Sequence, residues 1–188
     1  MKQKWIAVIG SPRRSMNTET IVDYIIEGLS GYDIQVEKYF LDSSNISTCT
    51  GCELCFTNGE CVIQDEIAIV IEQMRLADGF IFASPSFNYN VTAQMKAVLD
   101  RTFCLNDYSN GWKSRLSNKK AIIVGVCKGQ SRELMGFTIA GMSKTLSDLD
   151  VDIVDKIEYY NTKNQPTLLN EELKVELIGR IRSNKQMN

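Results

Sequence analysis

The stretch KWIAVIGSPRRSMNT, residues 4–18, decides the fold because it joins an apolar run to a polar loop and then to a helical segment. Residues 4–10 are apolar and rich in β-branched side chains, which is typical of a strand buried on both faces. The polar residues that follow lead into a segment with helical spacing from Thr18 onward. A strand, a polar loop and a helix in this order predict the first unit of a doubly wound α/β sheet.

The same alternation continues along the chain. Further strands are predicted at residues 33–41, 79–84, 120–127 and 152–160, and helices at 18–29, 65–77, 93–105, 134–149 and 170–182. Near-continuous apolar strands indicate a sheet covered by helices on both faces. We therefore predict one α/β domain over residues 1–188, with a three-layer, doubly wound, five-stranded parallel sheet of order 2-1-3-4-5. Residues 183–188 are expected to be frayed.

The third helix shows clear periodicity. Apolar residues from Met95 to Phe103 recur at the spacing of one helix face. Lys96, Asp100 and Arg101 fall on its polar face, where we expect solvation or an ion pair within the helix rather than a chemical role.

Composition excludes several classes of function. The 188 residues carry a formal net charge of −2, which does not favour nucleic acid as a partner, and no apolar stretch is long enough to cross a membrane. The chain has no histidine, which excludes Ser–His–Asp catalysis and His-ligated metal sites.

Without a recognisable secretory signal we expect a cytoplasmic protein. In that reducing compartment the six cysteines would be ligands or buried side chains rather than disulfides.

The loop after the first strand is predicted to bind a phosphate group. It lies at the carboxyl end of a central strand, where doubly wound sheets bind ligands. It combines backbone N–H groups at a helix start with polar side chains, namely Ser11, Arg13, Ser15, Asn17 and Thr18. The GKS or GKT triplet of a Walker loop and the GxGxxG pattern are both missing. The alternative interpretation is an ordinary polar turn with Asn17 or Thr18 as the helix N-cap.

A second polar loop follows the third strand, which neighbours the first strand in the predicted order. It mixes aromatic, amide and hydroxyl groups that suit a planar polar ring, namely Pro85, Ser86, Phe87, Asn88 and Tyr89. A phosphate at the first loop and a ring at the second describe FMN. The alternative is an aromatic loop folded onto its own helix. Residues 126–131 form a third, weaker candidate loop.

The most specific motif is Cys49-x2-Cys52-x2-Cys55-x5-Cys61, inside a loop at about 43–64 that lacks both helical and strand periodicity. Three thiolates within seven residues and a fourth nearby can converge on one [4Fe–4S] or [2Fe–2S] cluster. A four-cysteine zinc site, a CxxC redox dithiol and a remnant loop without a cluster are the alternatives. The remaining two cysteines, at 104 and 127, are expected to be small buried side chains.

These motifs also carry a family resemblance. The patterns GSPR-x3-NT (residues 10–18) and SPSF-x6-QMKAVLDR (84–101), with the cysteine loop between them, resemble the NAD(P)H-dependent FMN reductase superfamily of flavodoxin-like fold, and within it the iron–sulfur flavoproteins. The resemblance covers about residues 4–105. It implies that the first loop holds the FMN phosphate, that residues 85–89 line the isoalloxazine ring, and that the four cysteines of the motif hold a [4Fe–4S] cluster close to FMN in an oligomer. Phe87 departs from the family, which commonly has Tyr there.

The resulting functional prediction is an FMN-dependent oxidoreductase that couples the flavin to a [4Fe–4S] cluster and takes electrons from NAD(P)H or ferredoxin. No catalytic acid or base is assigned, because the cofactors would supply the redox chemistry. The alternatives are a cluster-free NAD(P)H-dependent FMN or quinone reductase and a non-enzymatic flavodoxin-like carrier. The resemblance implies a homodimer or homotetramer.

Overall fold

The computed structural model describes residues 2–42 and 45–187. Its main sheet has five strands, β1 (Gln3–Ile9), β2 (Ile34–Phe40), β3 (Gly79–Pro85), β4 (Lys120–Val126) and β5 (Asp152–Tyr159). Their order is β2-β1-β3-β4-β5, and every neighbouring pair is parallel. The predicted doubly wound order is therefore confirmed, and each strand boundary lies within one residue of its predicted position.

Helices cover both faces of this sheet, as the apolar strands require. They are α1 (Asn17–Leu29), α2 (Glu66–Leu76), α3 (Ala93–Arg101), α4 (Thr138–Asp148) and α5 (Glu171–Ser183). Trp5, Ala7 and Ile9 of β1 pack in one core with α1 and α5, whereas Ile6 and Val8 pack in the other with α2, α3 and α4. All five of these side chains are fully buried. No helix in the described part of the chain is long and apolar enough to cross a membrane.

The predicted helices at 134–149 and 93–105 are both interrupted. A short helix ends at Met135, Gly136 has a positive φ of 59°, and α4 begins only at Thr138. A Cβ on Gly136 would lie 2.2 Å from the carbonyl oxygen of Tyr89, so this close approach needs glycine. The α-helical part of α3 ends at Arg101, and residues 102–105 continue as a 3-10 turn. A two-stranded antiparallel ladder at 106–107 and 113–114 was not predicted.

The expected fraying of the last residues is wrong for residues 184–187. A 3-10 turn covers Lys185–Met187, and the Met187 side chain is buried against the core between the sheet, α1 and α5. The hydroxyl of Tyr32 lies within hydrogen-bond distance of the carbonyl oxygens of Ile181, Arg182 and Asn184, at 3.0, 2.8 and 3.3 Å. One phenol therefore caps the end of α5 and holds the final turn against the domain.

Replacing Gly79 by Ala is expected to destabilise the fold by about 1–3 kcal/mol, the usual cost of overpacking a filled core. Gly79 lies opposite Trp5 in the β1–β3 register, and an added Cβ would be 2.3 Å from Trp5 Cε2. Urea unfolding measures the change. Gly179→Ala is the control, because Gly179 is exposed within α5 with no atom within 4 Å of an added Cβ. The control should gain roughly 0.5–1 kcal/mol; equal effects would contradict the packing argument.

Candidate functional site

A cavity of about 460 Å³ opens at the carboxyl ends of the central strands. Its lining residues are Ser11, Arg13, Met16, Asn17, Thr18, Pro85, Ser86, Phe87, Asn88, Val126, Lys128 and Thr162. They come from the start of α1, from the last residues of β3 and β4, and from the loops that follow β1, β3, β4 and β5. The volume is within the range of small-molecule and cofactor sites. Its position, next to the point where the strand order reverses between β1 and β3, is where doubly wound sheets bind ligands.

Eight of the ten residues predicted to bind the cofactor line this cavity, and Ser15 and Tyr89 do not. The backbone N–H of Ser15 donates to Glu19 Oε2 at 2.6 Å, so a carboxylate of the chain already occupies this donor. The carbonyl of Tyr89 accepts from the N–H of Phe137 at 2.7 Å, and its side chain is half exposed. Both residues lie in the predicted loops, but the direction in which each loop turns is set by these backbone contacts and not by a local sequence pattern.

The loop after β1 leaves the start of α1 without a side-chain cap. Met16 occupies the N-cap position without a side-chain hydrogen bond, so the alternative in which Asn17 or Thr18 caps the helix is wrong. The side-chain oxygen Oδ1 of Asn17 accepts from the N–H and hydroxyl of Thr167, at 2.9 and 3.1 Å. This leaves the Asn17 amide nitrogen as a donor for a ligand. An uncapped helix start at the cavity wall is a favourable position for an anion.

The two arginines of this loop have different surroundings. Arg13 lines the cavity. Arg14 instead pairs with Asp42, with Nη2 3.0 Å from Oδ1, and its guanidinium stacks over the Phe40 ring at 3.7 Å. The hydrogen bond from Arg14 lowers the pKa of the Asp42 carboxyl below its ordinary value. Of the two arginines, Arg13 is therefore the one available to a ligand in the cavity.

The aromatic loop is a tight turn. Phe87 and Asn90 exchange backbone hydrogen bonds at 2.8 and 3.1 Å, and the two residues between them are both left-handed, with φ of 48° at Asn88 and 68° at Tyr89. This conformation is strained for tyrosine, and such strain is concentrated at functional sites. The Ser86 hydroxyl donates to the carbonyl oxygens of Leu134 and Met135 at 3.0 and 3.2 Å, so the loop is fixed to the short helix before Gly136.

Met16 and Thr162 were not predicted as site residues, and the loop after β4 was only a weak candidate. That third loop contributes Val126 and Lys128 to the cavity. Thr162 follows β5, and its N–H donates to the carbonyl of Cys127 at 3.2 Å. The available signal was topological, because the carboxyl ends of all parallel strands meet at the same edge of the sheet.

The four cysteines of the motif line a second, small cavity of about 30 Å³, together with Cys104. Cys49 and Cys52 are exposed, and Cys55 and Cys61 are half-buried. The N–H of Gly51 donates to Cys49 Sγ at 3.5 Å. Burial raises the pKa of the Cys55 thiol, and the neighbouring Cys61, Cys52 and Cys49 raise it further. In residues 2–42 and 45–187, no three Cys, Asp or Glu side chains are gathered as ligands of one metal ion.

The remaining cysteines are buried, as predicted. Cys127 lies at the end of β4, and its Sγ accepts from the N–H of Gly129 at 3.3 Å. Cys104 is also buried, but it borders the cavity of the four motif cysteines, which the sequence did not indicate. Burial raises the pKa of the Cys104 thiol.

The expectation that Arg101 is solvated is wrong. Its side chain is fully buried, and Nη1 contacts Asp65 Oδ1 and Oδ2 at 2.7 and 2.6 Å. Asp65 caps α2 by accepting from the N–H of Ala68 at 3.2 Å, and it also accepts from the N–H of Ser47 at 2.8 Å. Burial favours the neutral acid, but the hydrogen bonds from Arg101 and these N–H groups lower the pKa of Asp65 below its ordinary value. The pair joins the cysteine loop to α2 and α3.

An aromatic cluster, formed by Phe56, Phe103, Tyr108 and Trp112, lies beside the cysteines. The ring centroid of Tyr108 lies 4.3 Å from that of Phe56 and 4.4 Å from that of Trp112. Phe103 also lines the cysteine cavity. Phe56, Phe103 and Trp112 are exposed, which makes the cluster an apolar surface next to the thiols.

Comparisons with known proteins agree with this architecture. An "Iron-sulfur flavoprotein" of Archaeoglobus fulgidus is 33% identical over 136 residues, covering 71% of this chain and 60% of the relative. A protein of the same name from Methanosarcina thermophila is 30% identical over 130 residues, covering 69% of this chain and 67% of the relative. The chain thus spans 60–67% of the length of these two relatives.

Solved structures show the same flavodoxin-like fold. An NAD(P)H:quinone oxidoreductase from Methanothermobacter marburgensis has a TM-score of 0.69 at 16% identity, with 97% of this chain and 96% of that chain covered. A flavone reductase has a TM-score of 0.74 at 16% identity, with 97% and 62% covered. The family model described as NADPH-dependent FMN reductase matches residues 3–136, more than half of the chain. The protein therefore belongs to the NADPH-dependent FMN reductase family and, within it, is similar to the iron–sulfur flavoproteins.

Proposed function

We propose that the protein is an FMN-dependent oxidoreductase that couples its flavin to a [4Fe–4S] cluster held by Cys49, Cys52, Cys55 and Cys61. The flavin assignment rests on the 460 Å³ cavity. Its lining includes the uncapped start of α1, which favours an anion, and the aromatic turn after β3. FMN has the same division between a phosphate and a planar ring. The chemistry of the lining residues therefore fits the cofactor.

The phosphate of FMN would be held at the start of α1. Arg13 supplies the positive charge, because Arg14 is already paired with Asp42. Ser11 and Thr18 add hydroxyl groups, and the helix dipole favours a negative group at this end. The amide nitrogen of Asn17 completes the set, because Thr167 fixes the Asn17 side chain by its oxygen.

The isoalloxazine ring would lie against the loop after β3. Pro85, Ser86, Phe87 and Asn88 line this side of the cavity, and the strained turn holds Phe87 in place. Phe87 has no hydroxyl, and Tyr89 does not line the cavity, so we infer that the phenolic contact common in the family is lost here. Lys128, from the loop after β4, also lines the cavity and would place a positive charge near the cofactor.

The cluster assignment is supported by the donor set. Four thiols line one cavity, and one of them already accepts a backbone N–H, as thiolate sulfurs around iron–sulfur clusters do. When both groups are bound, FMN accepts a hydride as two electrons and the cluster passes electrons singly, so the pair would divide two-electron input into single electrons. The role of the chain is to hold the two groups and to set their potentials.

NAD(P)H or ferredoxin is proposed as the electron donor. NAD(P)H is supported by the family, whose model is described as NADPH-dependent, and by the NAD(P)H:quinone oxidoreductase with the same fold. We also propose a cytoplasmic homodimer or homotetramer. The exposed aromatic cluster around Trp112, next to the thiols, supports an interface at this surface.

A cluster-free NAD(P)H-dependent FMN or quinone reductase is the second candidate. It is favoured by one observation, that no three ligand side chains of the described residues are gathered around one metal position. The flavin cavity would be identical in the two cases, so only the content of the cysteine cavity separates them.

Arg13→Ala is expected to weaken FMN binding by about 10- to 100-fold, because a hydrogen bond to a charged group contributes roughly 1.5–3 kcal/mol. Titration of the flavin-free protein, followed by flavin fluorescence, measures this loss. Arg14→Ala is the matched control and should stay within about threefold of the parent, because the Arg14–Asp42 pair is exposed and such pairs contribute little. A larger loss in the control would place the phosphate elsewhere, and a parent protein that binds no FMN would refute the flavin assignment.

Anaerobically purified protein is expected to contain about four iron and four sulfide ions per chain, the content of one [4Fe–4S] cluster. Cys52→Ser should lose them and keep FMN, because Cys52 lines only the cysteine cavity. Cys127→Ser should keep both, because that residue lies outside the cysteine cavity. Iron and sulfide analysis with visible spectra measures both cofactors. Absence of iron from the parent would favour the cluster-free reductase, and zinc in its place would indicate a structural metal site.

A further inference from the structure

Arg101 is the most deeply buried cation at the cysteine cavity. It lies at the end of α3, its side chain is fully buried, and it lines the cavity together with the four motif cysteines. Neither the flavin assignment nor the thiol ligands give it a role. Its guanidinium is always charged, so its surroundings must compensate a permanent positive charge.

The two terminal nitrogens of Arg101 fix both ends of the cysteine loop. Nη1 donates to the carbonyl of Ser47 at 3.2 Å, and Nη2 donates to the carbonyl of Ile63 at 2.7 Å. Ser47 precedes the first cysteine of the motif by two residues, and Ile63 follows the last by two. The pair with Asp65 adds a third attachment, at the cap of α2. One side chain therefore closes the segment that carries all four proposed ligands.

The third nitrogen of Arg101 has no such partner. Nε is buried and makes no hydrogen bond to any described residue. Buried donors in folded proteins are nearly always paired, so an unpaired one requires an explanation. Because Arg101 lines the cysteine cavity, a group bound there is the natural acceptor.

Two further arginines contact the same loop, and of these Arg75 also pairs with Glu60 and Glu72, at 3.7 and 3.9 Å. Nη2 of Arg75 and Nη1 of Arg115 both donate to the carbonyl oxygen of Gly59, at 2.8 and 2.7 Å, between Cys55 and Cys61. Three guanidinium groups thus contact the backbone of one short loop. A cluster with four thiolate ligands carries net negative charge, which such a surrounding stabilises.

We propose that Arg101 is a positioning residue of the cluster site, which closes the cysteine loop through its Nη atoms and donates its Nε–H to a cysteinyl or sulfide sulfur of the bound cluster. This inference rests on the proposed [4Fe–4S] cluster. Reduction adds one electron and so one negative charge to the cluster. A hydrogen bond to one of its sulfur atoms stabilises that reduced state, and Arg101 therefore raises the reduction potential.

Arg101→Lys tests the hydrogen bond. Lysine keeps the positive charge that compensates Asp65, so the variant should keep FMN, iron and sulfide. It has no counterpart of the Arg101 Nε–H. The one-electron reduction equilibrium of the cluster should shift at least tenfold towards the oxidised state. For a one-electron couple this lowers the midpoint potential by about 59 mV. Arg115→Lys is the control, because Arg115 contacts the same loop but is exposed and does not line the cavity; its midpoint should move by less than a third of that amount. An unchanged midpoint in Arg101→Lys overturns the proposed hydrogen bond.

Arg101→Met tests the closing of the loop. It should lose most of the iron and sulfide while FMN binding stays within about threefold, because Arg101 does not line the flavin cavity. Retention of a full cluster in this variant would overturn the positioning role.

A measurement on the parent protein does not depend on the folding of any variant. With ¹⁵N-labelled arginine, pulsed EPR of the reduced protein should detect hyperfine coupling between the cluster and an arginine nitrogen. Absence of that coupling in a protein with a full cluster overturns the hydrogen bond but leaves the proposed function intact. A parent protein without iron and sulfide overturns both.

Discussion

The arrangement of both candidate sites depends on one constraint, the burial of β1 on its two faces. Trp5 to Ile9 are completely buried, so their backbone must pair with strands on both sides and their side chains must be covered by two layers of helices. Parallel pairing then brings the carboxyl ends of all five strands to one edge. The polar loops that follow β1, β3, β4 and β5 meet there and enclose the larger cavity.

The two sites are held in different ways. At the larger cavity, loops a few residues long are positioned directly by the strands that they follow, and hydrogen bonds such as Asn17 to Thr167 refine them. The cysteines lie in a long connection whose described residues form one short helix, from Cys55 to Asn58. Its position is set instead by the buried ion pair of Arg101 and Asp65, which attaches it to α2 and α3. Removing one partner of such a pair is usually strongly destabilising.

Sequence patterns predicted the elements of this fold well because their signals are local. The strands were located to within a residue from β-branched apolar runs alone. The break before α4 was missed because it depends on the approach of Gly136 to the Tyr89 carbonyl, across 47 positions of sequence. Arg101 was misjudged for a similar reason, since periodicity places it on the polar face of α3 and only the folded cysteine loop buries that face. Thr162 could be found only from the topology of the sheet.

The contribution of the last quarter of the chain bears on how proteins of this family diverge. The family model ends at residue 136, yet Thr162 forms part of the cavity wall and Thr167 orients Asn17. Insertions or deletions between β5 and α5 would therefore reshape the cofactor pocket while every recognisable motif stayed unchanged. Two relatives with identical signature loops can in this way differ in which molecules reach the ring, and sorting them by motif alone would overlook that difference.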